Sequence, residues 1–183
     1  MTRRLISFDI DGTLDIGDPP GLIPLAAVRR ALTLGFVVGS CSDRPLHSQQ
    51  ELWRRHRIPV HFAVLKQHLE SLRETFRATH YLHIGDSPVD RWTASSAGFD
   101  FIHIERTDLE DGAVTRGHSY AAETREQAVR EVFEQEPLRP SQWSAIVAVA
   151  SEVGTTPETV RSWVRHAEVL AGLAELREMG LLD

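Results

Sequence analysis

Two short acidic segments carry the residue types that bind cations and phosphate groups. Asp9-Ile10-Asp11-Gly12-Thr13 lies near the N-terminus, and Gly85-Asp86-Ser87-Pro88-Val89-Asp90 lies further along the chain. Two neighbouring carboxylates bind a hard cation through oxygen, and Mg²⁺ is the usual choice where the substrate carries phosphate. An ionised aspartate can also attack phosphorus, while a second aspartate protonates the leaving oxygen and later activates water. The segments therefore predict phosphoryl chemistry on a metal ion, and the candidate metal ligands are Asp9, Asp11, Asp86 and Asp90.

Lys66 is the only lysine among the 20 lysine and arginine residues of the chain. Arginine presents a wide planar fork and lysine a compact point charge, so the two are not equivalent. A GC-rich genome would explain the bias toward arginine, but not the place of the exception between two acidic segments. Because carboxylates, a hydroxyl and one ammonium can together move a phosphoryl group on a metal ion, we predict that the chemistry needs this lysine.

Apolar runs alternate with amphipathic segments through the first half of the chain. The runs predict strands at residues 5–9, 36–42, 60–65, 81–84 and 99–104, and the segments predict helices at 22–34, 45–57, 66–78 and 88–97. Such alternation is typical of β-α-β units with right-handed crossovers, and it predicts an α/β fold with a five-stranded parallel Rossmann-like sheet. Parallel sheets bind ligands at the carboxyl ends of their strands. The side chains that we expect to converge there are Asp9, Asp11, Ser42, Lys66, Asp86 and Asp90.

The order of these motifs resembles that of the haloacid dehalogenase (HAD) superfamily, the phosphatases with an aspartate nucleophile. The resemblance covers about residues 4–104 and begins with Asp9-Ile10-Asp11-Gly12-Thr13. The second motif is a strand that ends in a hydroxyl residue, here Ser42-Asp43-Arg44-Pro45, and the third is Lys66 at the start of a predicted helix. The fourth is the segment from Gly85 to Asp90, followed by Ala97-Gly98.

The resemblance implies a Mg²⁺-dependent phosphomonoester hydrolase that forms an aspartyl-phosphate. Asp9 would be the nucleophile and a metal ligand, and Asp11 would be the acid and base and would bind metal through its backbone carbonyl. Ser42 would hydrogen-bond the phosphoryl oxygens, and Lys66 would offset the charge around them. Asp86 would hold the metal with support from Asp90. The residues expected to bind substrate are Gly12, Thr13, Asp43 and Arg44.

Two of these assignments have alternatives. Strict alternation along a strand puts Ser40 and Ser42 on the same face, so either could supply the hydroxyl. Arg44 could bind the substrate phosphate, or it could be a solvated residue at the start of a helix.

Family members usually insert a cap domain after the first motif or between the second and the third. Here residues 15–22 form a short Gly/Pro-rich loop, and residues 44–66 hold only a predicted helix and strand. The resemblance therefore implies a HAD-type sheet without a cap domain. An open site of this kind suits a bulky or nucleotide-type phosphorylated substrate.

Beyond the sheet, the sequence predicts a second region. We expect a core at residues 1–106, a polar linker at 107–119 and a small all-α module at 120–183, with helices at 123–135, 141–153 and 157–170. Residues 120–172 resemble the helix-turn-helix segment of insertion-sequence transposases, and three stretches carry the likeness. They are Arg125-Glu126-Gln127-Ala128-Val129, Ser141-Gln142-Trp143-Ser144-Ala145-Ile146 and Gly154-Thr155-Thr156-Pro157-Glu158-Thr159-Val160-Arg161-Ser162-Trp163-Val164-Arg165.

Charge argues against DNA as the main partner of this module. Residues 121–183 carry eleven acidic residues and six arginines, a net charge of −5, whereas phosphate contacts dominate DNA affinity. A lid, a homodimer contact or a protein-docking surface is the favoured role, and DNA binding is the alternative. An alternative hypothesis for the whole chain is a regulatory protein. Its HAD-like domain would sense a phosphorylated ligand, and its C-terminal helices would contact DNA or protein.

The remaining composition narrows the class of protein further. No apolar run approaches the ~20 residues that span a bilayer, so no membrane partner is expected. The overall net charge of −6 gives no general attraction to nucleic acid or anionic lipid. The single cysteine, Cys41, excludes an internal disulfide and fits a reducing compartment, which predicts a cytoplasmic protein.

Overall fold

Five parallel strands organise the first part of the chain in the computed structural model, which describes residues 4–105 and 120–183. Two compact units are present, and the predicted linker at 107–119 lies outside the described residues. The first unit takes in the described residues up to 105 together with Gly172–Asp183. The second unit holds the described residues 120–171.

The sheet of the first unit has the strand order β3-β2-β1-β4-β5. Its strands are β1 (Arg4–Phe8), β2 (Val37–Ser42), β3 (Phe62–Leu65), β4 (His80–Gly85) and β5 (Asp100–His103). The chain runs from β1 outward to β2 and β3, then returns to the other side of β1 for β4 and β5. The strand order therefore reverses between β1 and β4, where parallel sheets open a crevice for ligands. The predicted α/β fold with a five-stranded parallel Rossmann-like sheet is confirmed.

Helices cover both faces of this sheet. They are α1 (Leu25–Thr33), α2 (Leu46–Arg55), a 3-10 helix (Lys66–Ser71) continued by the short α3 (Leu72–Thr75), and α4 (Pro88–Ala97). The prediction of one regular helix at 66–78 is therefore wrong. Leu69 and Leu72 are both buried, and the three-residue repeat of a 3-10 helix puts such a pair on one side.

Residues on β1 alternate between two apolar cores. Ile6 and Phe8 pack on the face covered by α1 and Trp53 of α2, while Leu5 packs on the face covered by α4 and the 3-10 helix. Cys41 is buried on the second face, where burial raises the pKa of its thiol. Alternation thus gives each face of the sheet its own core and turns Asp9, which follows the strand, to the side of Leu5.

The end of the chain completes the first of these cores. The last helix, α7 (Pro157–Glu178), and the turn after it place Leu176 and Leu181 in the same apolar cluster as Ile6 and Phe8. A Cβ on Gly172 would lie 2.6 Å from Ile102 Cγ2, so only glycine fits there. The structure thus differs from the expected module at 120–183, because the leucines at its end belong to the core of the sheet.

The second unit is a helical core. It contains α5 (Ala122–Gln135), a short 3-10 helix (Glu136–Leu138), α6 (Gln142–Val153) and the first part of α7. Its buried apolar cluster draws on all three α-helices and comprises Ala128, Val132, Ala145, Ile146, Val149, Ala150, Val160 and Val164. Gly154 ends α6 in the left-handed region, at φ 75°, and Thr156 accepts a hydrogen bond from Thr159 N at the start of α7. Within the described residues, no helix is both long and apolar enough to cross a membrane.

We predict that Leu176→Ala destabilises the first unit by about 2–5 kcal/mol, since it leaves a cavity in a packed core. Urea unfolding followed by tryptophan fluorescence measures the free energy of unfolding. Leu170→Ala, at an exposed position of the same helix, is the control and should change it little. A loss at Leu176 no larger than at Leu170 would show that the tail does not contribute to the core.

Candidate active site

Three carboxylates lie together at the point where the strand order reverses. Asp9 follows β1, Asp86 follows β4, and Asp90 lies in the first turn of α4. One carboxylate oxygen from each lies within 4.8 Å of the other two. This donor set contains only oxygen, as hard divalent cations prefer. The structure therefore brings three of the four predicted metal ligands into one group that could hold a metal ion.

Two glycines make room for these carboxylates. Gly12 has a positive φ of 74°, and a Cβ there would lie 1.9 Å from Asp86 Oδ2. A Cβ on Gly85 would lie 2.5 Å from Asp90 Cβ. Gly12, which the sequence suggested as a substrate-binding residue, thus has an observed role in letting the Asp86 carboxylate approach.

Lys66 is the cation nearest to the three carboxylates in the described part of the chain. It is the first residue of the 3-10 helix after β3, and its side chain is only 11% exposed. Its Nζ lies 2.9 Å from Asp90 Oδ1, 3.0 Å from Asp43 Oδ2 and 3.9 Å from Asp9 Oδ1. The ammonium therefore lies within ion-pair distance of two of the three carboxylates and of one exposed neighbour, Asp43.

Asp90 is fully buried and is held by both of its oxygens. Ser87 donates to Oδ2 through its hydroxyl at 2.5 Å and its backbone N at 3.2 Å, while Asp90 N donates back to Ser87 Oγ. This reciprocal pair is a capping box at the start of α4, and it fixes the carboxylate against the helix N-terminus. On the other side, Oδ1 has Lys66 Nζ and His83 Nε2 as partners, at 2.9 and 3.3 Å.

Arg44 holds the carboxylate of Asp11 outside the three-carboxylate group. Its Nε donates to Asp11 Oδ2 at 2.8 Å, and its Nη2 donates to Asp11 Oδ1 at 2.5 Å. The backbone N of Asp18 donates to the same Oδ1 at 2.7 Å. Arg44 is thus paired rather than solvated, and the expected contribution of the Asp11 carbonyl to a metal stays a prediction.

The hydrogen bonds at the end of β2 distinguish Ser42 from Ser40. Ser40 Oγ donates to Gln49 Oε1 at 2.7 Å and accepts from Trp53 Nε1 at 2.9 Å, so its hydroxyl is already used. Ser42 Oγ accepts from Arg44 N at 3.3 Å, which leaves its proton available to a ligand. These contacts favour Ser42 as the hydroxyl that faces a phosphoryl group.

The last two suggested substrate-binding residues differ in their exposure. Asp43 has 77% of its side chain exposed and reaches Lys66. Thr13 is fully buried, and its Oγ1 has no hydrogen-bond partner among the described residues. Asp43 is therefore the one of the two that a solvent-borne substrate can reach in this arrangement.

Sequence reasoning missed three buried polar side chains around the site. Gln49 Nε2 donates to the carbonyls of Arg44 and Val64, and so ties the loop after β2 to β3. His83 Nε2 lies 3.3 Å from Asp90 Oδ1, and Ser7 Oγ lies 2.6 Å from His83 Nδ1. Both Ser7 and His83 lie between apolar neighbours in a predicted buried strand, and this pattern could have indicated a buried polar contact.

The carboxylates of the site titrate very differently. Burial, with the charge of Asp90, raises the pKa of Asp9 to about 7 and that of Asp86 to about 6. Burial also opposes ionisation of Asp90, but hydrogen bonds from His83, Ser87 and Lys66 outweigh it and hold the pKa of Asp90 below its usual range. Asp90 therefore stays ionised, whereas Asp9 and Asp86 keep their protons to a higher pH than an ordinary aspartate does.

Two further groups have shifted pKa values because of their ion pairs. For Lys66, burial is outweighed by Asp9, Asp90 and Asp43, which raise the pKa of the ammonium above its usual value. For Asp11, burial is outweighed by the Arg44 guanidinium and the Asp18 N–H, which lower the pKa of the carboxyl. Lys66 and Asp11 are therefore both ionised near neutral pH.

Comparison with known proteins gives a partial match only. No family model matches the chain. It is 40% identical over 55 residues to the insertion element IS629 uncharacterized 12 kDa protein of Shigella sonnei, which is 30% of this chain and 51% of that protein. It is 50% identical over 54 residues to the insertion element IS6110 uncharacterized 12.0 kDa protein of Mycobacterium tuberculosis, which is 29% of this chain and 50% of that protein.

The chain thus spans about half the length of the curated relatives that it matches. Their insertion-element origin agrees with the transposase resemblance noted for the C-terminal helices. Because the relatives are themselves uncharacterized, they identify no activity.

We predict that the metal-free protein loses stability as the pH rises from about 4 to about 7. The folded pKa values of Asp9 and Asp86 lie above the ordinary 3.8, so the folded state keeps protons that the unfolded state has released. Urea unfolding in a chelator at several pH values measures this change. Asp9→Asn removes the larger contribution and should flatten the profile; a variant with the same slope as the wild type would contradict the assignment.

Proposed function

We propose that the protein is a Mg²⁺-dependent phosphomonoester hydrolase of HAD type, which works through an aspartyl-phosphate on Asp9. The observation that supports this most directly is the grouping of Asp9, Asp86 and Asp90 within 4.8 Å, with Lys66 Nζ 3.9 Å from Asp9. Hydrolysis of phosphate esters on a metal needs a nucleophile, an oxygen-lined cation site and a fixed positive charge. Asp9, the three-carboxylate group and Lys66 could supply these three features.

The donor set fits Mg²⁺ as the metal. Asp9, Asp86 and Asp90 offer carboxylate oxygens and no nitrogen or sulfur. Burial, and after it the charge of Asp90, raises the pKa of Asp9 and of Asp86, and a bound cation would favour the ionised form of both. Asp9 and Asp86 would hold the ion, with Asp90 supporting it and the Asp11 carbonyl adding a ligand. When bound, Mg²⁺ supplies positive charge against the phosphoryl oxygens.

The protein side chains would divide the reaction between them. A carboxylate oxygen of Asp9 forms a bond to phosphorus as the ester P–O bond breaks, and Asp11 gives a proton to the departing oxygen. Water then attacks the aspartyl-phosphate while Asp11 takes a proton from it, which releases phosphate and restores Asp9. Ser42 and Lys66 would contact the phosphoryl oxygens through these steps.

Asp11 must leave its partner and take up a proton from solvent before it can act as an acid. Arg44 now holds it ionised through two hydrogen bonds, and a carboxylate so held carries no proton to give. Arg44 therefore needs another anion, and the substrate phosphate is the candidate. The Arg44 side chain is 27% exposed, so an incoming phosphate can reach it.

The proposed substrate class is supported by the short connections after β1 and between β2 and β3. Within the described residues 4–105, the connection from β1 to α1 is a loop with a single bridge between Leu14 and Ile23, and only α2 lies between β2 and β3. No further domain is inserted at either place. This supports an enzyme without a cap, and a phosphate carried on a bulky or nucleotide-type molecule as its substrate.

We predict that the purified protein hydrolyses phosphate monoesters in the presence of Mg²⁺ and that a chelator stops the reaction. Asp9→Asn should lower kcat by more than about 10³-fold, because an amide cannot form the covalent intermediate. Phosphate release from p-nitrophenyl phosphate, nucleoside monophosphates and phosphate-ended oligonucleotides measures this. Undiminished turnover by the variant would refute Asp9 as the nucleophile.

Lys66→Arg is a sharper variant for the same assay. It keeps the positive charge but replaces the compact ammonium by a planar fork, which does not fit among three carboxylates at the same distances. Activity should fall by at least about tenfold. Arg54→Lys makes the reverse exchange at an exposed position and should leave activity unchanged.

A second candidate function is favoured by the insertion-element relatives and by the α6-turn-α7 arrangement. In this case the HAD-like domain senses a phosphorylated ligand, and the helical unit binds protein or DNA. Arg161, on the first turns of α7, already pairs with Glu158. Because the region from residue 121 onward has a net charge of −5, a protein partner or a second copy of the chain suits it better than DNA.

We predict that the protein does not bind duplex DNA with micromolar affinity, even at about 50 mM salt, since few cations are available for phosphate contacts. Fluorescence anisotropy with a labelled duplex, repeated with added phosphate ester, measures this. Binding that weakens steeply as salt rises would instead favour the DNA-binding alternative.

A further inference from the structure

Ser7 and His83 form a buried polar pair beside the carboxylates, and neither takes part in the proposed reaction. They are register partners on β1 and β4, and both side chains are fully buried. Ser7 Oγ lies 2.6 Å from His83 Nδ1, and His83 Nε2 lies 3.3 Å from Asp90 Oδ1. Buried polar groups cost free energy unless they are hydrogen-bonded. Ser7 and His83 bond to each other, and the second ring nitrogen of His83 bonds to Asp90.

The partners of His83 determine where its proton lies. Ionised Asp90 can only accept hydrogen bonds, so His83 Nε2 must carry a proton and donate it to Oδ1. In the tautomer that carries its proton on Nε2 alone, His83 Nδ1 is an acceptor, and the Ser7 hydroxyl donates to it. The result is a chain of donors that runs in one direction, from Ser7 through His83 to Asp90.

This chain acts on the carboxylate that joins the metal-binding group to Lys66. Asp90 Oδ1 is shared between His83 and Lys66, while Oδ2 is held by Ser87. The His83 ring packs against Phe101 at a centroid distance of 6.1 Å, which limits its rotation. Without the His83 donor, Asp90 could turn toward Lys66 and draw the ammonium away from Asp9.

We propose that Ser7 and His83 are positioning residues, which orient Asp90 so that Asp9, Asp86 and Asp90 form a preorganised site for a divalent cation. The inference rests on the proposed function for the role of the metal, but it concerns metal affinity and can be measured without hydrolysis. Donors that orient metal ligands from outside the ligand set typically change metal affinity or activity 10–100-fold when they are removed.

The first test compares His83→Leu with His83→Gln in direct titrations. Leucine removes both hydrogen bonds, and we expect the dissociation constant for Mg²⁺ or Mn²⁺ to rise about 10–100-fold. Glutamine keeps an N–H donor that can reach Asp90, and it should recover most of the affinity. His80→Asn is the matched control, because His80 lies on the same strand but is exposed.

Ser7→Ala is the second variant, and it removes only the donor to His83 Nδ1. It should weaken metal binding less than His83→Leu does, but more than His80→Asn. Circular dichroism and thermal unfolding establish that each variant is folded. If His83→Leu does not fold, Ser7→Ala and His83→Gln, compared with wild type, still decide the question.

Kinetics add a readout that a purely structural role would not change. In an active enzyme, His83→Leu should raise the Mg²⁺ concentration for half-maximal activity and lower kcat, with KM for the phosphate ester unchanged. Wild-type metal binding that is weakened by His83→Leu, without hydrolysis of any ester, would refute the phosphatase and keep the positioning role.

Three results would overturn the proposal. One is a wild-type protein that binds no divalent cation. Another is a folded His83→Leu variant that loses thermal stability but keeps its metal affinity. The third is a Ser7→Ala variant with wild-type affinity, together with a His83→Gln variant as weak as His83→Leu.

Discussion

The buried ammonium of Lys66 is the charge on which the rest of the site depends. Three carboxylates crowd the carboxyl ends of β1 and β4, and ionised groups in a low-dielectric interior repel one another strongly unless they are compensated. Lys66 lies within 2.9 Å of Asp90 and 3.9 Å of Asp9, and so partly compensates both. The compensation is incomplete, because burial and the charge of Asp90 together outweigh Lys66 and raise the pKa of Asp9 to about 7. A cation held by the three carboxylates would complete the compensation.

Much of this arrangement could be predicted from the sequence, because strand ends follow from local pattern. Apolar runs locate the strands, and parallel strands bring their carboxyl ends to one edge of the sheet. Asp9, Lys66 and Asp86 each directly follow a strand, so their proximity required no knowledge of side-chain contacts. Local pattern failed for the helix expected at 66–78, where the burial of Leu69 and Leu72 accompanies a 3-10 helix, and it ended the helix expected at 157–170 too early.

The remaining contacts depend on register and on residues far apart in the chain. Ser7 meets His83 because of the pairing between β1 and β4, which no single strand reveals. The bidentate bond between Arg44 and Asp11 depends on how two loops meet above the sheet. Likewise, the sequence predicted that Leu176 and Leu181 belong to a helical module, because only the tertiary fold shows which core they fill.

The shared helix α7 has a consequence for how the protein is made. Its first turns belong to the helical core, whereas Leu176 near its end belongs to the core beneath the sheet. The sheet domain is therefore discontinuous, and the ribosome delivers the whole helical core before the segment that closes the sheet. Domains usually fold in the order of their synthesis. Here, Leu176 and Leu181 of the first unit are synthesised only after the helical core, so the sheet domain cannot complete its apolar core first.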